Sequence, residues 1–132
     1  MDWLIEVHSV FRWVVLLVAV AAIALAILSA LGRREWDGLI DRTAFFFTLA
    51  MDIQLLIGLV LWLVESRWSS SDPALTWLHP LAMLAAVGLA HVGRVRSDRA
   101  TASAERGRQA AIFFVASLLV IIIAIPLYAW PL

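Results

Sequence analysis

Three histidines and one aspartate are the side chains of this sequence best suited to chemistry in apolar surroundings. His8 stands four residues before Arg12 at the start of the first apolar stretch, His79 and His91 belong to the third stretch, and Asp52 lies near the middle of the second. An ionisable group inside a membrane is costly unless it is paired or hydrogen-bonded, so each is a candidate functional residue. Neutral imidazoles bind haem iron and other metals, whereas a carboxylate can accept and release protons.

The composition is that of an integral membrane protein. The 132 residues are 64% hydrophobic and 15% charged, with a mean hydropathy of +0.95, whereas soluble domains are about 45–50% apolar. The formal net charge is zero and all ten basic residues are arginine, so no charge excess indicates a nucleic-acid partner. The absence of cysteine excludes a disulfide, a thiolate nucleophile and iron–sulfur ligation.

Four apolar stretches have the length of roughly 20 residues that a membrane-spanning helix needs. They cover 10–31, 43–64, 75–92 and 110–129, and the connections between them are polar. The chain 1–132 is therefore predicted to be one all-α integral membrane domain, a bundle of four transmembrane helices. The first and third connections carry eight arginines and the second carries one, and arginines near span ends stay on the cytoplasmic side. We therefore expect both termini outside.

Pro80 gives the third span a local signal. Proline has no N–H to donate, so it leaves the carbonyl of Thr76 without its helical partner. A kink or a restart of the helix is therefore predicted near His79.

Rows of alanines four residues apart predict helix faces that pack closely, because small side chains let membrane helices approach. On an ideal helix His8 and Arg12 project within about 40° of the row in span one, and His79 within about 60° of the row in span three. If spans one and three face each other, their inner halves would be close and a slot would remain between His8 and His79 in their outer halves. The rows are Ala22, Ala26 and Ala30, and Ala82, Ala86 and Ala90.

A slot between two imidazoles suits a b-type haem. His8 and His79 would be the two axial ligands of the iron, and Arg12 would pair with a haem propionate. Other interpretations stay open: His8 can be solvated among the headgroups, His79 can cap its helix, and the long Arg12 side chain can extend to the headgroups.

Asp52 and His91 form a second possible site, for proton transfer or polar pairing. A lone aspartate in a membrane is protonated or paired, and its possible partners are Arg12, His91 and Arg94. Twelve residues separate His91 from His79, which turns His91 by about 120° away from the His79 face. As a ligand of a second haem, His91 has no obvious partner.

Four motifs, which together run through nearly the whole chain, are "VHSVFRWVV", "DIQLLIGLVLW", "HPLAMLAAVGLAHVGR" and "AAIFFVASLLVIIIAIP". In this order they resemble a family of small bacterial four-span membrane proteins described as cytochrome b-like. The resemblance implies a subunit that binds haem or associates with a haem protein, with His8 and His79 at the family's histidine positions and His91 at a further one. Relatives often have histidine where this chain has Asp52, so the resemblance provides no haem ligand from span two.

These observations predict a b-type cytochrome or cytochrome-like subunit in the bacterial cytoplasmic (inner) membrane. It would hold heme b and transfer electrons between the quinone pool and a partner, without an independent enzymatic activity. The sequence contains no hydrolase or phosphate-loop signature. Two alternatives remain: a cofactor-free accessory subunit that contacts lipid and other subunits of a respiratory or photosynthetic complex, and a small transporter or proton path through Asp52.

Overall fold

The chain folds into four long α-helices in an antiparallel bundle. The structure is a computed structural model, and it describes residues 2–125. Within that range every regular element is helical, and the helices α1 to α4 span Asp2–Ala30, Gly38–Val64, His79–Arg99 and Ser103–Ala124. Four helical segments are long and apolar enough to cross a bilayer. The predicted all-α membrane bundle is confirmed.

The helices extend beyond the apolar spans predicted from hydropathy. α1 begins at Asp2 rather than at residue 10, and α4 begins at Ser103 rather than at residue 110. Hydropathy marks the part of a helix that matches the hydrocarbon core, and the polar turns on either side continue the same backbone hydrogen bonding. The last part of the fourth predicted span, 126–129, lies outside the described residues.

α1 and α3 stand diagonally across the bundle, and each packs on α2 and α4. Spans one and three therefore do not face each other along their alanine rows, and the condition set out for the slot is not met in that form. Both rows pack against α4 instead. A Cβ atom added at Gly107 would lie 2.6 Å from the backbone oxygen of Ala26 and 2.5 Å from the backbone nitrogen of Ala30. On the other side of α4, the Ser117 hydroxyl donates a hydrogen bond of 2.7 Å to the backbone oxygen of Ala86.

Two aromatic rings fill the centre of the bundle. Phe47 of α2 and Phe114 of α4 are fully buried, and their ring centroids lie 4.9 Å apart in an edge-to-face arrangement. They share one buried cluster with Ala22 and Ala26 of α1 and Ala90 of α3. The small alanine side chains of α1 and α3 make room in the centre for the phenylalanine rings of α2 and α4. The two rings separate α1 from α3, so these helices lie diagonally across the bundle.

The connection between α1 and α2 is fixed by hydrogen bonds at the end of the bundle that is rich in arginine. Asp37 caps α2 by accepting from the backbone nitrogen of Ile40 at 3.0 Å, and it also accepts from Nε of Arg34 at 2.9 Å. The Ile40 hydrogen bond and the Arg34 guanidinium lower the pKa of the Asp37 carboxyl. The Ser103 hydroxyl accepts from the backbone nitrogen of Trp36 at 3.0 Å, which joins this connection to the start of α4.

A π-helical turn leads into α3 at the opposite end of the bundle. Residues Ala74–Leu78 form the π-helix, and α3 begins at His79 with Pro80 in its first turn. The restart near His79 predicted from Pro80 is confirmed. The carbonyl of Thr76, which Pro80 cannot satisfy, accepts a hydrogen bond of 2.8 Å from Nε1 of Trp62 in α2. This bond ties α2 to the turn that positions His79.

Candidate functional site: a histidine pair in the bundle cavity

His8 and His79 meet at the end of the bundle where α1 and α3 begin. Their ring centroids lie 6.3 Å apart and their planes are almost perpendicular, at 88°. The helices that carry them are diagonal neighbours, so the two rings reach toward each other across the bundle centre. The structure therefore brings this predicted pair together, although the two helices do not pack along their alanine rows.

The two histidines line a cavity with a volume of about 280 Å³, bounded by all four helices and by the connection after α2. Small-molecule sites in proteins occupy roughly 300–1,000 Å³, so this cavity is slightly smaller than that range. Its wall is mostly apolar, and among the described residues no carboxylate lines it. The charged and strongly polar side chains on the wall are His8, Arg12, Gln54, Arg67 and His79.

His79 is oriented by a hydrogen bond to α4. Its Nδ1 atom lies 3.1 Å from the backbone oxygen of Ala124. A carbonyl oxygen only accepts, so Nδ1 carries the proton and the neutral ring has its lone pair on Nε2. Histidines that bind metals commonly have this arrangement, because the second nitrogen holds the ring at a fixed angle.

His8 is held between its own helix and α2. The side chain of Gln54 donates from Nε2 to the backbone oxygen of His8 at 2.8 Å. A Cβ atom added at Gly58 would lie 3.2 Å from Cε1 of His8, so the absence of a side chain there makes room for the ring. The Nδ1 atom of His8 is buried, and within the described residues it makes no hydrogen bond of good geometry. A bound group can therefore complete the coordination or hydrogen bonding of this ring.

Two guanidinium groups give the cavity a positive character. Arg12, which is 9% exposed, lines it one helical turn after His8, and its guanidinium lies 5.6 Å from the centroid of the Trp13 ring. Arg67 comes from the 3₁₀ turn Arg67–Ser69 and lines the same cavity. Two cations without a lining carboxylate favour a ligand that carries an anionic group.

Sequence reasoning missed three residues of this site. Arg67 is the one arginine of the second connection, and this isolation was the available signal. Gln54 lies two residues after Asp52 in an otherwise apolar helix, and its polarity there was the available signal. Gly58 interrupts an apolar helix at a cost in helix propensity, which can indicate that another group approaches closely.

Asp52 and His91 form a separate pair on the outside of the bundle. Nε2 of His91 lies 2.8 Å from Oδ1 of Asp52. His91 is therefore the partner of Asp52 among the three candidates expected from the sequence. The side chain of His91 is 49% exposed and that of Asp52 is 45% exposed. Neither lines the cavity. The pair joins α2 to α3 and is independent of the histidine pair.

The spacing of His8 and His79 fits two ligands of one metal ion. A metal–imidazole bond is about 2 Å long, so two ligating nitrogens on opposite sides of a metal lie about 4 Å apart and the ring centroids about 6 Å apart. The observed separation is 6.3 Å. His8 and His79 would hold a haem group as its two protein ligands, since haem supplies the other ligands of its own iron. Arg12 and Arg67 would pair with its propionates.

The chain matches none of the known protein-family models, curated proteins or solved structures with which it was compared. The fold and the cavity define a four-helix membrane bundle with a histidine pair in its core. The cytochrome b-like resemblance of the sequence motifs stays a prediction.

Proposed function

We propose that the protein is a b-type cytochrome of the bacterial cytoplasmic membrane, which carries electrons between the quinone pool and a partner subunit. The observation that carries this proposal is the His8–His79 pair, whose ring centroids are 6.3 Å apart inside a bundle cavity. Haem ligands in helical bundles are side chains that project inward from different helices, and this pair comes from α1 and α3.

Four polar residues of the cavity would hold the haem in this proposal. His79 would bind iron through Nε2, because Nδ1 donates to Ala124, and His8 would be the second protein ligand. Arg12 and Arg67 would pair with the haem propionates. When bound, haem supplies a one-electron couple, and the surrounding apolar wall excludes water from it. A haem group would fill the cavity, so the flexible side chain of Met83 on its wall would have to repack.

The test is the optical spectrum of the purified chain, expressed with an ample haem supply. The reduced-minus-oxidised difference spectrum should show a low-spin b-type haem with two histidine ligands. We expect His8→Ala and His79→Ala to lose at least nine tenths of the bound haem, because each removes an axial ligand. His91→Ala is the matched control and should keep the spectrum, because His91 is outside the cavity.

Two results would contradict the proposal. One is a wild-type preparation that is folded, by circular dichroism, and remains colourless after haem is added. The other is an unchanged spectrum for the His79→Ala variant.

A cofactor-free accessory subunit is the second candidate function. The Asp52–His91 pair favours it, because a half-exposed polar pair on the outside of a membrane bundle is better satisfied against another protein than against lipid. A colourless chain that purifies only within a larger respiratory or photosynthetic assembly would support this candidate over the cytochrome.

A further inference from the structure

The surface that α2 and α3 share combines a polar pair with an open glycine. We call it the α2/α3 face. Nε2 of His91 and Oδ1 of Asp52 lie 2.8 Å apart on it, and the surrounding side chains are large and apolar. The face comprises Phe45, Asp52 and Leu56 of α2 and Leu84, Gly88 and His91 of α3.

Asp52 lies well inside the second apolar span, and His91 reaches it from the last turn of the third span, 75–92. Asp52 is nine residues from Thr43, where the second apolar span begins, which corresponds to about 13 Å along the helix. Ionisable side chains at such positions nearly always face a bundle interior or a water-filled cavity. Here about half of each side chain is exposed on the outer surface. In a membrane this face is therefore energetically unfavourable until another protein surface covers it.

We propose that the α2/α3 face is the interface of a parallel homodimer, in which a second copy of this chain covers the polar pair. A twofold axis places the same surface on both sides, so the surface must complement itself. The α2/α3 face meets this condition because it carries one acid and one base. An imidazole ring has two nitrogens that can each form a hydrogen bond. Nε2 of His91 pairs with Asp52 of its own chain, and Nδ1 pairs with Asp52 of the second copy.

Charge balance supports a second copy over an unrelated partner. Two acids and two bases meet at the axis, so each Asp52 faces a His91 of the other chain and no group of one kind accumulates there. Within the described residues, the second oxygen of Asp52 and Nδ1 of His91 have no hydrogen-bond partner. The twofold arrangement supplies one for each of these atoms.

Gly88 allows the two copies of α3 to approach closely. It lies three residues before His91, on the same side of the helix, and a Cβ atom added there would meet nothing within 4 Å. The monomer therefore gives no packing reason for a glycine at this position. Membrane helices use small residues where the backbone of another helix comes close, and Gly88 supplies such a position on the exposed surface.

The sequence offers a direct test, because the chain contains no cysteine. Gly88→Cys, placed in lipid vesicles and oxidised mildly, should form a disulfide-linked dimer, since such a bond requires Cα atoms roughly 4.4–6.8 Å apart. Leu17→Cys is the matched control. Leu17 is 72% exposed on α1, diagonally across the bundle, and should cross-link at least tenfold less.

Two further variants separate the interface from the fold. Gly88→Ile adds bulk where the monomer has open space, so it should leave the helical content unchanged and abolish the dimer in a single-molecule or sedimentation assay. The double variant Asp52→Leu/His91→Leu removes both hydrogen bonds across the axis. Each such bond contributes a factor of about three to association in membranes, so the dimerisation constant should fall about tenfold.

Three outcomes would overturn the proposal. The first is a wild-type chain that stays monomeric at every protein-to-lipid ratio. The second is equal cross-linking of Gly88→Cys and Leu17→Cys, which indicates random collision. The third is a different membrane protein that binds the α2/α3 face and protects Gly88→Cys from modification. None of these measurements depends on haem, so this proposal and the cytochrome proposal fail or succeed separately.

Discussion

Gly58 shows how one missing side chain shapes the candidate site. It belongs to α2, and the position where its Cβ would stand is 3.2 Å from Cε1 of His8. That distance is shorter than an ordinary van der Waals contact between carbon atoms. A larger residue therefore has to push the imidazole toward His79 or out of the cavity. Control over the angle of His8 thus lies in a neighbouring helix rather than in α1.

The residue-scale prediction concerns Gly58→Val. The added methyl groups should move the His8 ring and weaken haem binding by about fivefold or more, since overpacking of this kind costs about 1–3 kcal/mol. Haem titration followed by absorbance measures the effect, with circular dichroism as the check on folding. Leu56→Val is the matched control, because Leu56 is on the same helix and 63% exposed. Equal affinities for the two variants would show that Gly58 does not set the ring position.

At the scale of the helices, α4 is the element that holds the other three in place. Its Gly107 lets the backbone of α1 approach, and its Ser117 binds the backbone of α3. Its Phe114 meets Phe47 of α2 in the centre. In lipid the association of helices depends on such close packing and hydrogen bonding, because the hydrocarbon gives no hydrophobic driving force between them.

The element-scale prediction is that Gly107→Ala destabilises the bundle. The new methyl group would lie 2.5 Å from the backbone nitrogen of Ala30, and a backbone atom cannot move aside as a flexible side chain can. We expect a loss of about 1–3 kcal/mol in the free energy of unfolding, measured by titration with a denaturing detergent. Gly88→Ala, measured in dilute mild detergent, is the control. It should be neutral or stabilising, because its methyl group meets nothing and alanine favours helix. Equal losses for both variants would refute the close α1–α4 contact.

The sequence was sufficient to predict the four helices and the restart before His79, but not which helices are neighbours. An alanine row indicates that the backbone of another helix approaches closely, but it does not identify that helix. Gly107, the partner of the first row, lies before the predicted span 110–129, so it was not considered. The proximity of His8 and His79 followed from helix phase and from the direction of the spans. Arg67 joins the site through the geometry of a connection, which hydropathy and helical periodicity do not describe.

At the scale of the whole molecule, the two ends of the bundle differ in their ion pairs. The end without the cavity pairs its arginines with neighbouring acids. Nη2 of Arg106 lies 3.8 Å from Asp41 and 3.4 Å from Asp98, and its guanidinium is 4.9 Å from the centroid of the Trp36 ring. At the cavity end, Arg12 and Arg67 line the same cavity as the histidine pair. Because arginines near span ends stay on the cytoplasmic side, this difference predicts the orientation of the bundle in the membrane.

The molecule-scale prediction is that the connection after α2 and both termini are outside. Single cysteines introduced into this cysteine-free chain test it in intact cells with a maleimide that cannot cross membranes. Ser71→Cys, in the connection after α2, should be labelled at once. Ala102→Cys, between α3 and α4, should react only after permeabilisation, because its neighbours carry the arginines. The reverse labelling pattern would invert the topology and place the histidine cavity on the cytoplasmic side.

The π-helical turn Ala74–Leu78 has an evolutionary consequence. A π turn contains one residue more than the α turn that it replaces. Deleting one residue there would convert the π turn into an α turn of the same rotation, so the helix after it would keep its phase. His79 would still face His8. A bundle of this kind can therefore lose the extra residue through a single codon deletion and keep its histidine pair, at the expense of the contact between Trp62 and Thr76.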